Sequence, residues 1–171
     1  MLKRTVISLL VLLSFAVMAQ SESALKFGHY NSHEILLQMS ETESAQKQLS
    51  ALSSSYDKEL SKMSQDYDAK VEDFVKYSKD MDEEIKKSRQ HEIVSLEERI
   101  VALKETANAT LRKKQEELLL PIKEKLQNAV KQIGEEHHFM YLFDTNIPSL
   151  GYISPESEDV TPLIKSKLDL K

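Results

Sequence analysis

The 171-residue sequence has no cysteine and no tryptophan, and only three glycines and four prolines. Without cysteine there are no disulfides, no thiolate metal ligands, no cysteine nucleophile and no lipid-bearing N-terminal cysteine. Three glycines leave little from which to build a phosphate-cradling loop or a series of tight hairpins, since those sites need φ > 0 or very close backbone approach. Nucleotide-binding enzymes and all-β folds are therefore disfavoured. Aromatic residues are scarce at 6% while charged residues reach 30%, the balance of a solvated, helix-rich and elongated chain.

What is present begins with a leader. Lys3 and Arg4 precede an apolar run from Val6 to Met18, and Val17-Met18-Ala19 supplies small residues for cleavage. This is the layout of a secretory signal peptide over residues 1–19, cleaved near Ala19; the run is short for a bilayer span, the rival reading being an uncleaved anchor. The chain is then expected to be secreted across the inner membrane. Setting aside Lys3 and Arg4 makes the remainder more acidic than the formal −5 of the whole chain. Such a chain is a poor partner for nucleic acid, and its charge does not support contact with a membrane surface.

Between Glu41 and Ile133 there is no glycine and a single proline, Pro121, so the span is expected to be almost entirely helical. Its apolar residues recur at three and four: Ala45, Leu49, Leu52, Tyr56, Leu60, Met63, Tyr67, Val71, Phe74, Tyr77 and Met81, then Ile93, Leu96, Ile100, Leu103, Ala107 and Leu111. Each set forms one narrow stripe on a helix. Two such stripes are best buried against each other in an antiparallel hairpin. A turn near 80–82 divides the region into two stretches of equal length, 42–79 and 83–120. A single uninterrupted helix is the alternative, because neither Gly nor Pro marks the turn. Pro121 would kink or interrupt the return helix where it reaches the body.

The flanks are mixed. Leu25 to Tyr30 reads as a strand, and Asn31 caps a helix with Glu34 placed to return the cap; Ser40-Glu41-Thr42-Glu43 repeats that signature. Gly134 is positioned to close the long helical region. Phe139 to Phe143 and Leu150 to Ile153 read as strands, and Thr161-Pro162 opens a last helix with the threonine as cap. The segments 20–41 and 121–171 thus form a small α+β body carrying the arm 42–120. A body of this size struggles to bury enough surface alone, so self-association is expected.

No catalytic or metal site is legible. His29 and His33 straddle a strand-to-helix junction, His137 and His138 diverge if they lie on a strand, and Ser53-Ser54-Ser55 has no base beside it. The protein is read as a non-enzyme without cofactor or metal.

Several stretches in order resemble the Skp (OmpH-like) periplasmic chaperones: Phe27 to Leu36 at the opening, Met39 to Leu49 with Ala45-Gln46-Lys47, Gln115 to Ile122, the strand ending Leu142-Phe143-Asp144, and Asp159-Val160-Thr161. The resemblance covers essentially the whole chain after the leader. It implies a jellyfish-like homotrimer, mostly α, in which the bodies join and three helical tentacles surround a cavity. It also implies ATP-independent holding of unfolded outer-membrane β-barrel proteins. Phe27, Tyr30, Ile35, Leu36, Phe139, Tyr141 and Phe143 are then the candidate oligomerisation residues. Tyr56, Met63, Tyr67, Phe74, Tyr77 and Met81 are the candidate client-binding residues, adaptable aromatic and thioether side chains. All six also lie on the stripe assigned to the hairpin seam, so core packing competes with client contact, with Tyr77 and Met81 near the turn the expected exceptions.

The resemblance would also carry a strongly basic arm, and here the sequence departs. Asp80, Asp82, Glu83 and Glu84 at the tip balance Lys79, Lys86, Lys87 and Arg89, and the clearest basic cluster is Arg112-Lys113-Lys114 near the body. A structural coiled-coil adaptor of the envelope, binding one folded partner, is the alternative function.

Overall fold

The computed structural model describes residues 25–170, so the leader and its cleavage site lie outside it. Strand β1 (Phe27–Tyr30) leads into a short helix α1 (Ser32–Gln38) and two long helices, α2 (Ser40–Tyr77) and α3 (Glu83–Glu136). Strand β2 (Tyr141–Asp144), the two-residue strand β3 (Glu158–Asp159) and helix α4 (Thr161–Lys167) complete the chain.

Helices α2 and α3 form an antiparallel hairpin. Lys70 Nζ reaches Glu92 Oε2 at 3.4 Å near its far end, and Lys125 bonds Glu41 at its root. The two apolar stripes meet between the helices, with Leu96 and Ala107 buried and most other stripe residues half-buried. The turn over 78–82 needs no glycine. Among the described residues only His138 and Asp169 have positive φ, so every turn residue stays in ordinary backbone regions. Asp82 instead makes the bend, its carboxylate accepting the Glu84 N–H at 2.9 Å as the N-cap of α3. Glu83 and Glu84 add negative charge to the positive end of the helix dipole.

Two sequence expectations fail along α3. Pro121 does not interrupt it: the helix runs unbroken for 54 residues, about 81 Å at 1.5 Å per residue, against 38 for α2. Pro121 lies on the exposed side, where water can serve the carbonyl that loses its partner, while Ile122 beside it is buried. The limit placed between 120 and 121 therefore falls inside one continuous helix. Gly134 does not end it either. The helix closes at His137, and His138, at φ 56°, takes the left-handed position after the cap. The Phe139 N–H bonds the Gly134 carbonyl at 3.0 Å and the His138 N–H the Glu135 carbonyl at 3.5 Å, a Schellman closure. His137 and His138 thus cap a helix rather than occupy a strand.

The sheet has the order β2-β1-β3, with both pairs parallel. Parallel pairing of β1 with β2 needs a long crossover, and the helices α1 to α3 are that crossover. Phe27 pairs with Tyr141 and Tyr30 with Asp144; Gly28 pairs with Glu158 and His29 with Asp159. The expected strand at 150–153 is absent: these residues belong to a long connection, and the third strand comes later, at 158–159. Gly28 has a steric role. A Cβ there would stand 2.7 Å from Leu142 Cδ2, 2.8 Å from Phe139 Cε1 and 3.1 Å from the Glu158 carbonyl oxygen.

Side chains from the C-terminal segment stitch the N-terminal one in place. Asn31 caps α1 by accepting the Glu34 N–H, as expected, but its own N–H donates to Thr161 Oγ1 at 3.0 Å. Glu34 pairs with Lys165 instead of returning to the cap. Thr161 is accordingly not its own helix's cap: Val160 holds that position, and Asp159 accepts the Thr161 N–H at 2.9 Å. Helix α2 likewise has Met39 as its N-cap, a buried apolar residue that makes no side-chain capping bond. The core behind the sheet contains Ile35, Leu126, Ala129, Ile133, Val160 and Ile164. A second cluster of Met39, Ala45 and Ile122 sits at the arm's root, and Leu36, Leu168 and Leu170 touch both.

Candidate functional site

The candidate residues separate by exposure into three groups. Ile35 is fully buried in the subunit's own core, and Tyr30, Leu36 and Phe139 are half-buried against it. Burial, with the Asp144 carboxylate opposite, raises the Tyr30 phenol above its ordinary range. These four residues are occupied within one chain.

Phe27, Tyr141 and Phe143 behave differently. Alternation along a strand turns Gly28 and Leu142 toward the helices and these three rings to the other face. They form a ladder, with centroids 6.1 Å apart between Phe27 and Tyr141 and 6.0 Å between Tyr141 and Phe143. Tyr141 remains 58% exposed. The connection after β2 forms a wall beside this face. It encloses a groove of about 760 Å³ lined by Phe27, Phe143, Leu150, Tyr152 and Ile153, with His29, Glu156 and Ser157 on its polar side. Reading 150–153 as a strand concealed this wall; the Pro148, Gly151 and Pro155 punctuation was the signal that it is a loop.

On the arm, Tyr56, Met63, Tyr67, Phe74 and Met81 are half-buried along the seam. Tyr77 is 47% exposed, with Lys76 Nζ 4.9 Å from its ring centre. The hairpin end exposes more apolar surface than the stripe alone indicates, because Val75 at 71% and Ile85 at 53% lie off it. Val94 and Val101, seven apart on α3, are exposed as well. Beside Phe74, Tyr77 and Met81, Glu92 accepts from Lys70 and, at 3.2 Å, from Arg89; the Lys70 hydrogen bond leads in holding its carboxyl below the ordinary range.

His33 lies on α1, and His29 Nδ1 is 2.9 Å from Ser157 Oγ. Among the described residues no group of three or more His, Asp or Glu side chains is placed to hold a metal ion. None of the described helices is long and apolar enough to cross a membrane.

A long two-helix arm rooted in a small parallel-sheet hub, with its notable features on open faces, defines a class of protein that works through surfaces. The chain matches the family model described as outer membrane protein (OmpH-like) over residues 26–168 and belongs to that family, the Skp/OmpH family. This is a periplasmic chaperone family without enzymatic activity. No curated protein matches the chain.

Proposed function

We propose that the protein is an ATP-independent holdase that keeps unfolded outer-membrane β-barrel proteins from aggregating in the periplasm. Membership of the OmpH-like family over residues 26–168 carries this reading. The exposed surfaces are consistent with it. A barrel precursor in water has apolar, unpaired strands that pair with each other unless covered. Many shallow contacts along mobile arms, acting at high local concentration, can cover them without one deep site. Tyr77 and its exposed neighbours Val75 and Ile85 offer such contacts at the arm's end, and Tyr56, Met63, Tyr67, Phe74 and Met81 become available where the seam opens.

The acting form is a homotrimer. The rings of Phe27, Tyr141 and Phe143 lose water most readily against other copies of the same face, which would place the hub at the centre and the arms around a cavity. Residues 1–19 serve as the cleaved leader.

The decisive experiment dilutes a urea-unfolded β-barrel protein into buffer with and without residues 20–171 and follows turbidity. Suppression near one trimer per client supports the reading; unchanged turbidity, with the chain folded by circular dichroism, rejects it. Light scattering on the same sample should give three times the chain mass.

A further inference from the structure

We propose that His29 is a proton-dependent latch fastening the connection 145–157 and strand β3 onto the sheet. Few other ties hold this segment: at its near end the Thr145 N–H donates to the Tyr30 carbonyl at 2.8 Å, and Leu150, Tyr152 and Ile153 line the groove beside Phe27 and Phe143. Strand β3 has two residues, and beside its pairing with β1 the Val160 N–H donates to the His29 carbonyl at 2.8 Å. Among side chains, His29 Nδ1 meets Ser157 Oγ at 2.9 Å, and Lys26 pairs with Glu158 at 3.0 Å. His29 is the one titratable side chain of β1 on the face that carries the aromatic ladder, and it sits in register between Phe143 and Asp159.

The charges around it fix the direction of the effect. The segment being fastened brings Glu156, Glu158 and Asp159. Opposing them are Lys26, already paired with Glu158, and Lys165 of α4, which acts on Asp159 and bonds Glu34. From β2 only Phe143 stands beside His29, while Asp144 is opposite Tyr30 on the other face. A proton on the imidazole therefore adds positive charge where negative charge is in surplus, while the hydrogen bond between Nδ1 and Ser157 Oγ is kept, with Nδ1–H as its donor. Imidazoles change charge between about pH 5 and 8. The latch is closed at the acidic end of that range and loosens toward the alkaline end. Because the connection is one wall of the groove over Phe27 and Phe143, its closure also sets the shape of the open hub face; that consequence for assembly rests on the trimer reading, and the latch does not.

Hydrogen exchange followed by mass spectrometry on residues 20–171, corrected for intrinsic rates, tests the latch at about pH 5.5 and about pH 8. Peptides covering 145–160 should lose protection about three- to fivefold at the higher pH, the range for a partly exposed charge pair, while peptides from Ile122 to Ile133 do not change. His29→Gln keeps a hydrogen-bonding group without the charge and should show the loosened state at both pH values. His29→Lys keeps a charge throughout and should stay protected at both. A wild type with equal protection at the two pH values, or a His29→Gln variant with the wild-type pH difference, overturns the proposal. Either result leaves the holdase reading untouched, since turbidity measures that separately.

Discussion

The hub and the arm are built from similar aliphatic residues yet bury them to different depths. In the hub, Ile35, Val160 and Ile164 are fully enclosed because helices α1, α3 and α4 close over one side of the sheet. In the arm each helix has one neighbour, so beyond the root only Leu96 and Ala107 are buried, and even the large aromatic residues keep a wet edge. A seam with partners on one side has fewer dispersion contacts per residue and opens locally at lower free energy. The contrast is consistent with the proposed function, under which the hub would fix the assembly and the arm would adapt to its client.

The sharpest way to break the contrast is to make the same kind of truncation in both places. Ile164→Ala should cost about 2–5 kcal/mol, because the surrounding hub cannot collapse into the space. Leu96→Ala should cost about half as much, since two helices can close on each other. Thermal unfolding of both variants checks this, and equal losses would mean that the arm is as tightly specified as the hub.

Gly28→Ala probes the hub from the opposite side. Its new Cβ meets Leu142, Phe139 and the Glu158 carbonyl together, and overpacking of this kind costs about 1–3 kcal/mol. A denaturant midpoint equal to that of wild type would show that the sheet yields more easily than its packing indicates.

At the arm's end, Tyr77→Ser should leave stability within about 0.5 kcal/mol, as for most exposed substitutions, while reducing suppression of client aggregation. Met81→Ser, on the half-buried seam, should lower stability more than Tyr77→Ser does. Unchanged suppression by Tyr77→Ser would assign the ring a packing role only.

The smallest effect is electrostatic. Partial burial tends to raise the Asp159 carboxyl, but donation from Thr161 and the nearby charges of His29 and Lys165 outweigh it and leave the group below its ordinary 3.8. A depressed carboxylate adds stability that is present above the unfolded value and lost as pH falls through the folded one. Acid unfolding below about pH 4 should therefore be slightly shallower in Asp159→Asn than in wild type. Parallel curves would remove Asp159 from the hub's acid sensitivity.

Much of the architecture was legible because it depends on periodicity. The paired stripes and the start of α3 at Glu83 follow from a glycine-free span whose apolar residues return every three or four positions. Several misreadings occur where a residue suited to one local role serves another. Gly134 has the residue type of a helix end, yet the helix closes at His137 with His138 in the left-handed position after it. Thr161 has the form of a helix cap, yet its hydroxyl accepts from Asn31, 130 positions away. The candidate hub residues could not be divided from sequence either, since Ile35 and Phe143 differ in role only through the face each one occupies.

By itself, then, the sequence determined that this chain makes a long helical pair, because hydrophobic spacing and the absence of breakers act within a few residues of each other. Only the tertiary structure decided which aromatic rings are enclosed and which stay open, and where α3 ends. Those outcomes depend on parallel pairing between segments more than a hundred residues apart, and no local pattern encodes which face of a strand its distant neighbours will cover.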